Sequence, residues 1–253
     1  MNPHGQAAIV TGGASGLGAA TARALVAAGA RVAILDVNAE LSEATATAMG
    51  ARAFPCDVSD AASAAHALAL AREAHGPARI LVNCAGIGGA SRIVGREGPM
   101  PLERFERTIR VNLIGTFNMM RLVAAELSTL PPLGDDERGV IVSTTSVAAF
   151  EGQIGQAAYA ASKGGIASLT LPAARELAQF GIRVLAIAPG LFQTPLLGEL
   201  PAETQAALAK AIPFPKRLGK PDEFARLVMH MVDNLSLNGE VVRLDGALRL
   251  GPR

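Results

Sequence analysis

Seven short runs of almost unbroken apolar sequence punctuate this chain of 253 residues, and a stretch long enough for a helix lies between each run and the next. The runs are AAIVT (7–11), RVAIL (31–35), ARAFP (51–55), ARILVN (78–83), GVIVSTTS (139–146), IRVLAIA (182–188) and EVVRL (240–244). A strand with one wet face alternates polar and apolar residues, and these runs do not, so both of their faces must be covered. Helical patterns at 16–29, 38–49, 60–75, 102–129, 157–180 and 221–234 supply the cover. Each connection is long enough to be a right-handed crossover between parallel strands. The expected fold is a doubly wound α/β domain with a seven-stranded parallel sheet flanked by helices. No linker or composition shift divides residues 1–253, so one domain is expected.

Composition narrows the function classes. Half of the residues are hydrophobic, enough for a large core, and 23 basic residues face 22 acidic ones, so no long-range field draws in nucleic acid. Independent nucleic-acid binding is not expected. No run of 18 apolar residues is unbroken and no leader pattern precedes the first strand, which together with only two cysteines, Cys56 and Cys84, leads to an expectation of a cytoplasmic protein without membrane contact. His4, His66, His75 and His230 are scattered without ligand spacing, so no metal site is expected.

Three stretches have loop composition: 86–101, 129–139 and 189–201. In a parallel sheet ligands sit beyond the carboxyl ends of the strands, so the first and third are candidate ligand loops and the second belongs at the opposite rim. The first run ends in Thr11-Gly12-Gly13-Ala14-Ser15-Gly16-Leu17-Gly18 before a helix. Glycines at 12, 16 and 18 permit a tight turn and a close backbone approach to a diphosphate, with helix N–H groups facing the anion. Such a turn also occurs as a plain connection. Asp36 closes the second run, where a carboxylate accepts both hydroxyls of an adenosine ribose or, alternatively, caps a turn. Against a 2′-phosphate at ~4 Å it would cost roughly 4 kcal/mol at an effective dielectric of ~20, so NAD is expected over NADP. Turn and carboxylate together make the domain Rossmann-type.

Tyr159 is the one tyrosine of the chain, and Lys163 lies one helical turn after it. A phenol of ordinary pKa about 10 is a poor base at neutrality, and lowering it by about 3 units takes roughly 4 kcal/mol, which a nearby cation supplies. TGGASGLG, Asp57-Val58, Asn83-Cys84-Ala85-Gly86, Asn112 in RVNLIG, Ser146 thirteen residues before Tyr159, the YxxxK pair and Pro189-Gly190 stand in the order and strand positions of one family. Across its whole length the chain resembles a short-chain dehydrogenase/reductase.

That resemblance implies an oxidoreductase in which Ser146 orients and polarises the substrate oxygen and Tyr159 is the general acid/base. It implies that Lys163 binds the nicotinamide ribose and lowers the tyrosine pKa, while Asn112 holds a water of the proton relay. The implied NAD surface comprises Gly12, Ser15, Gly16, Leu17, Gly18, Asp36, Asp57, Val58, Cys84, Ala85, Gly86, Tyr159, Lys163, Pro189, Gly190, Phe192 and Thr194. Within the family, residues 139–197 and the ending LNGEVVRLDGALRL resemble the branch that oxidises 3-hydroxyacyl-CoA thioesters, with hydroxysteroids or other secondary alcohols as the alternative. Family members are usually homotetramers. Gln153 and Gln156 either line the substrate pocket with Ser146 and Tyr159 or are solvated loop residues. The cluster Lys210, Lys216, Arg217 and Lys220 either meets coenzyme A phosphates or is a solvated face.

Overall fold

Continuous burial of the apolar runs is what builds the sheet. A computed structural model describes residues 1–198 and 201–252. Its strands β1 (Ala7–Thr11), β2 (Arg31–Asp36), β3 (Arg52–Pro55) and β4 (Ala78–Asn83) are followed by a two-residue hairpin, β5 (Val94–Gly95) with β6 (Gly98–Pro99). Then come β7 (Gly139–Thr144), β8 (Ile182–Pro189) and β9 (Val241–Leu244). Seven of them form one parallel sheet in the order β3-β2-β1-β4-β7-β8-β9, as the sequence predicts. The chain moves outward from β1 to β3 and returns to the other side of β1 as β4, which opens a crevice at the carboxyl ends of those two strands.

Successive residues of each strand enter different cores. Ile9, Ala33, Leu35, Leu81 and Ile141 face α3 (Ala61–His75), α5 (Gly115–Leu127) and α6 (Ala157–Leu177). Val10, Val32, Ile34, Val82 and Val142 face α1 (Gly16–Ala27), α2 (Ala39–Met49) and α9 (Pro221–Asp233). Met119 and Met120 fill the first core. Helices start where side chains replace missing backbone partners: Asn38 accepts from Leu41 N at 3.0 Å and Asp60 from Ser63 N at 2.6 Å.

Three elements differ from the sequence expectation. The helix expected over 102–129 is α4 (Leu102–Ile109), a π-helical turn (Arg110–Ile114) and then α5, the wide turn carrying Asn112. The loop 86–101 contains the β5-β6 hairpin. The third loop holds a short α7 (Pro195–Gly198), and α8 (Ala202–Lys210) follows it, where no helix was expected. The 129–139 segment does lie at the rim opposite the crevice, where Glu137 takes Arg183 Nε at 2.9 Å. Among the described residues no helix is long and apolar enough to cross a membrane.

Candidate active site

The turn after β1 is shaped by what glycine omits. A Cβ on Gly12 would stand 2.6 Å from Ala85 N, and one on Gly18 2.2 Å from Gly12 O, so the strand end, the start of α1 and the segment after β4 are packed backbone to backbone. Gly12 and Gly16 also have φ of +63° and +54°, a conformation costly to any other residue. Ser15 caps α1 with extended backbone but spends no side-chain hydrogen bond on the helix, and no acidic residue occupies the first helical turn. The N–H groups there remain turned toward the crevice, where they suit an anion. Leu17 is half-buried beside them. Asp36 borders the turn, its Oδ2 accepting from Ala14 N at 3.1 Å and its Oδ1 from Asn38 N at 3.0 Å. Neighbouring Val37 is 73% exposed, and neither it nor Asn38 is basic.

The next segments close the crevice on either side. Asp57 spends its carboxylate on Ser59, from N at 2.9 Å and Oγ at 2.7 Å. Val58 is buried, its carbonyl accepting from Asn118 Nδ2 at 2.9 Å, and a Cβ on Gly115 would lie 2.6 Å from its side chain. Ala85 N donates to Thr11 Oγ1 at 3.2 Å, and Cys84 Sγ accepts from Thr144 Oγ1 at 3.4 Å. Burial pushes the Cys84 thiol up to about 11, so it is no thiolate at neutral pH. Beyond β8, Pro189 is buried and Gly190 N donates to Leu244 O at 3.0 Å. The Phe192 ring turns away from the crevice into the core, edge-on to Phe224 at 6.5 Å. Its neighbours Leu191 and Gln193 bond Gly219, so the Phe192 backbone groups face the other way. Thr194 lies against Gly16, its Cγ2 3.6 Å from where a Cβ would be.

Ser146, Tyr159, Lys163 and Asn112 are brought together at the carboxyl ends of β4 and β7. Ser146 follows β7 in extended conformation, accepts from Ala148 N at 3.1 Å and stands near enough to Tyr159 to draw its phenol pKa down. Its oxygen is thus pinned by a backbone donor. Tyr159 lies in the first turn of α6, where burial pushes its phenol up and the neighbouring Ser146 hydroxyl pulls it down. Lys163, one turn on, is 5% exposed, donates to Thr144 O at 2.8 Å and sits 5.8 Å from the tyrosine ring centre. Burial pulls its ammonium down to about 8. In the protein alone the downward pull on the phenol comes from Ser146.

Asn112 is fully buried and its side chain is largely committed. Oδ1 accepts from Ile87 N at 2.8 Å, and Nδ2 donates to Ile87 O and to Ser162 Oγ, both at 3.0 Å. Ser162 in turn donates to Tyr159 O at 2.7 Å. Asn112 is therefore a strut from the segment after β4 to the helix of Tyr159, and its side chain keeps only the second Oδ1 lone pair for a water. Gly86 permits this, since a Cβ there would meet Asn112 Oδ1 at 3.1 Å and Lys163 Nζ at 3.5 Å. Thr144, Ser162, Gly115 and Asn118 were not expected from the sequence. Asn118 sits six residues after Asn112 on the same helical stretch, the one signal that marked it.

Beside this group lies a pocket of about 390 Å³ whose walls include Arg92, Ile93, Val94, Gln153, Ile154 and Gln156. Both glutamines thus line a pocket, with Gln156 Oε1 accepting from Gln153 N at 3.0 Å. The basic cluster is weaker than its sequence suggests. Arg217 is spent on Glu223, at 2.9 and 2.7 Å, and this pair with the Lys220 N–H holds the Glu223 carboxyl down to about 2. Lys210, Lys216 and Lys220 are exposed.

A glycine-shaped turn beside a carboxylate, facing a tyrosine, serine and buried lysine across a strand-order reversal, is the arrangement of an oxidoreductase. The chain belongs to the short-chain dehydrogenase family: the pattern described as short chain dehydrogenase matches residues 6–205. It is 53% identical over 252 residues to the 3-hydroxyacyl-CoA dehydrogenase type-2 of Bos taurus, covering 98% of this chain and 97% of that protein, and 52% identical, with the same coverage, to that of Homo sapiens. The crystal structure of the 3-hydroxyacyl-CoA dehydrogenase type-2 from Mycobacterium avium matches with a TM-score of 0.93 at 47% identity, over 98% of both chains.

Proposed function

We propose that the protein is an NAD-dependent dehydrogenase that interconverts 3-hydroxyacyl-CoA and 3-oxoacyl-CoA thioesters, with Tyr159 as general acid/base. The observation that carries the reading is the grouping of Ser146 and Tyr159 with a buried Lys163 that has no carboxylate partner among the described residues. The residues present fit NAD. A side chain at Gly12 or Gly18 would fill the cradle for its diphosphate, and Asp36 stands where a ribose hydroxyl is welcome and a phosphate is not. When bound, NAD supplies the hydride acceptor or, reduced, the donor.

The remaining work falls to the chain. In the reducing direction Tyr159, kept protonated by burial, hands its proton to the developing alkoxide at C3, and Ser146 hydrogen-bonds the same oxygen. Pinning of Ser146 Oγ by Ala148 N–H leaves the hydroxyl hydrogen to point at that oxygen. Lys163 spends one N–H on Thr144 O and has two left for ribose hydroxyls. Asn112, through Ile87 and Ser162, keeps the two sides of the crevice in register. Backbone groups of Phe192, rather than its ring, would be the ones free to meet the cofactor.

The identity of the relatives supports the acyl-CoA class, and the apolar Ile93, Val94 and Ile154 walls suit an acyl chain. A homotetramer accords with Ile114 at the end of the π turn, Phe117 on α5 and Leu171 on α6, apolar side chains that are 44–49% exposed. Cytoplasmic residence is supported by the free thiols of Cys56 and Cys84. The deciding experiment offers NADH or NADPH with acetoacetyl-CoA, a ketosteroid and a simple ketone. A kcat/KM with NADH at least tenfold higher for acetoacetyl-CoA than for the others is expected. A preference for the steroid or ketone would overturn the acyl-CoA reading.

A further inference from the structure

An ionic cluster stands just outside the site, and the reaction makes no use of it. Arg243 on β9 grips Glu151 with two parallel bonds of 2.8 and 3.0 Å, and its Nε reaches Asp245 at 2.7 Å. Arg249 adds contacts of 3.3 Å to Glu151 and 3.2 Å to Asp245, and the Arg243 guanidinium covers the Phe150 ring at 5.4 Å. Bidentate arginine–carboxylate pairs are directional, so the one between Arg243 and Glu151 fixes relative position as well as charge.

What it joins is informative. Glu151 opens the loop that lines the pocket through Gln153 and Gln156 and runs directly into the helix of Tyr159. The tail beyond Asp245 lies along this loop: Ile154 N donates to Pro252 O at 3.0 Å and Gln153 Nε2 to Gly251 O at 3.1 Å. On its other side the tail enters a small apolar core in which Leu248 and Leu250 meet Leu191, Leu197, Ile212 and Leu218. That core underlies the segment after β8, the one that sets Thr194 against Gly16. Just before both contacts the tail turns at Ala247, a non-glycine residue with φ of +66°, whose N–H bonds Asp245 Oδ1 at 2.9 Å. A residue stays in that region only where its surroundings hold it there.

We propose that residues 245–252 form a clasp that couples the substrate-pocket loop 150–156 to the cofactor-side segment 191–198, with Glu151 as the positioning residue. The substrate named in the test rests on the function proposed above; the clasp itself does not. Glu151→Gln keeps the size of the side chain and removes its charge. Hydrogen exchange on the full-length variant is expected to accelerate at least tenfold over both 150–156 and 191–198, while amides of β1 and β4 keep wild-type protection. KM for acetoacetyl-CoA should rise about five- to tenfold with kcat within twofold, and Glu151→Asp, which restores the carboxylate, should recover most of the loss. Arg249→Ala should move the same readouts less, because that arginine is 59% exposed. Unchanged exchange over 150–156, acceleration there alone, or acceleration spread through the central sheet would each overturn the proposal. Should the wild-type protein fail to turn over acetoacetyl-CoA, the substrate assignment falls and exchange still decides the clasp.

Discussion

Replacing Lys163 by Met should make the protein more stable and inactive. The ammonium is 5% exposed, and its pKa falls from 10.5 to about 8 through burial, which corresponds to about 3 kcal/mol of penalty on the charged form at neutral pH. A methionine of similar volume removes that penalty. It also leaves Thr144 O without its donor at 2.8 Å, a loss of about 1 to 2 kcal/mol. The net expectation is a gain of about 1 to 2 kcal/mol at pH 7, or roughly 2 to 8 °C in Tm for a chain of this size. Because the folded pKa lies below the unfolded one, the unfolded state binds more protons between about pH 8 and 10.5, so wild-type stability rises across that window. The advantage of the variant should therefore be full below pH 8 and shrink at pH 9.5. Urea unfolding of both proteins at pH 7 and 9.5, without cofactor, reads this directly. A variant less stable than wild type by 1 kcal/mol or more at pH 7 would show that the ammonium is held by more than one carbonyl and would refute the reasoning.

Tyr159→Phe should lower kcat at least about 10²-fold while NADH fluorescence titrates as in wild type, since only the proton donor is lost; turnover near wild type would move the acid elsewhere. Native protein should favour NAD over NADP by at least about tenfold in kcat/KM, and Asp36→Ala should narrow that ratio. An unchanged ratio would mean the carboxylate only braces Ala14. With the Tyr159 phenol pushed up by burial, alcohol oxidation should accelerate as pH rises from 7 to 9 and ketone reduction should be flat through neutrality, falling only when the phenol ionises. Oxidation that slows over that range would contradict the assignment.

The sheet was legible because its strands are covered on both faces, and each of the seven runs falls within one or two residues of its strand. Local pattern carried less elsewhere. The π turn at Arg110–Ile114 shifts hydrogen bonds by one residue without changing the apolar period, so 102–129 looked like a single helix. Helix α8 follows Gly198 and Pro201, and its short, alanine-rich run gave no face to detect. The grouping of Ser146, Tyr159 and Lys163 was legible from motif spacing, whereas the Thr144 carbonyl that receives Lys163 is ordinary backbone in sequence. Phe192 was expected as a contact, and its ring is instead held in the core because Gly219 leaves room for it, a pairing across 27 residues that no local signal announces. The pairing of Arg217 was within reach: Lys220-Pro-Asp-Glu is a helix start, and its glutamate commonly turns back on the residues before it.

The contrast between two buried cations separates structure from function here. Arg183, at the rim opposite the crevice, has Glu137 and the carbonyls of Met231, Val232 and Leu237 around its guanidinium, so its donors are met and its charge is balanced. Lys163 is buried to a similar degree and, among the described residues, has one carbonyl and no carboxylate. A structural cation that cost the fold this much would be expected to carry a counter-charge, because an unpaired buried ammonium is among the most destabilising groups a core can hold. Two unspent donors pointing past Gly86 toward the crevice make sense only if something else completes them. In the function proposed above, ribose hydroxyls would do so without adding charge, and Tyr159 would be the group that exchanges a proton with the substrate.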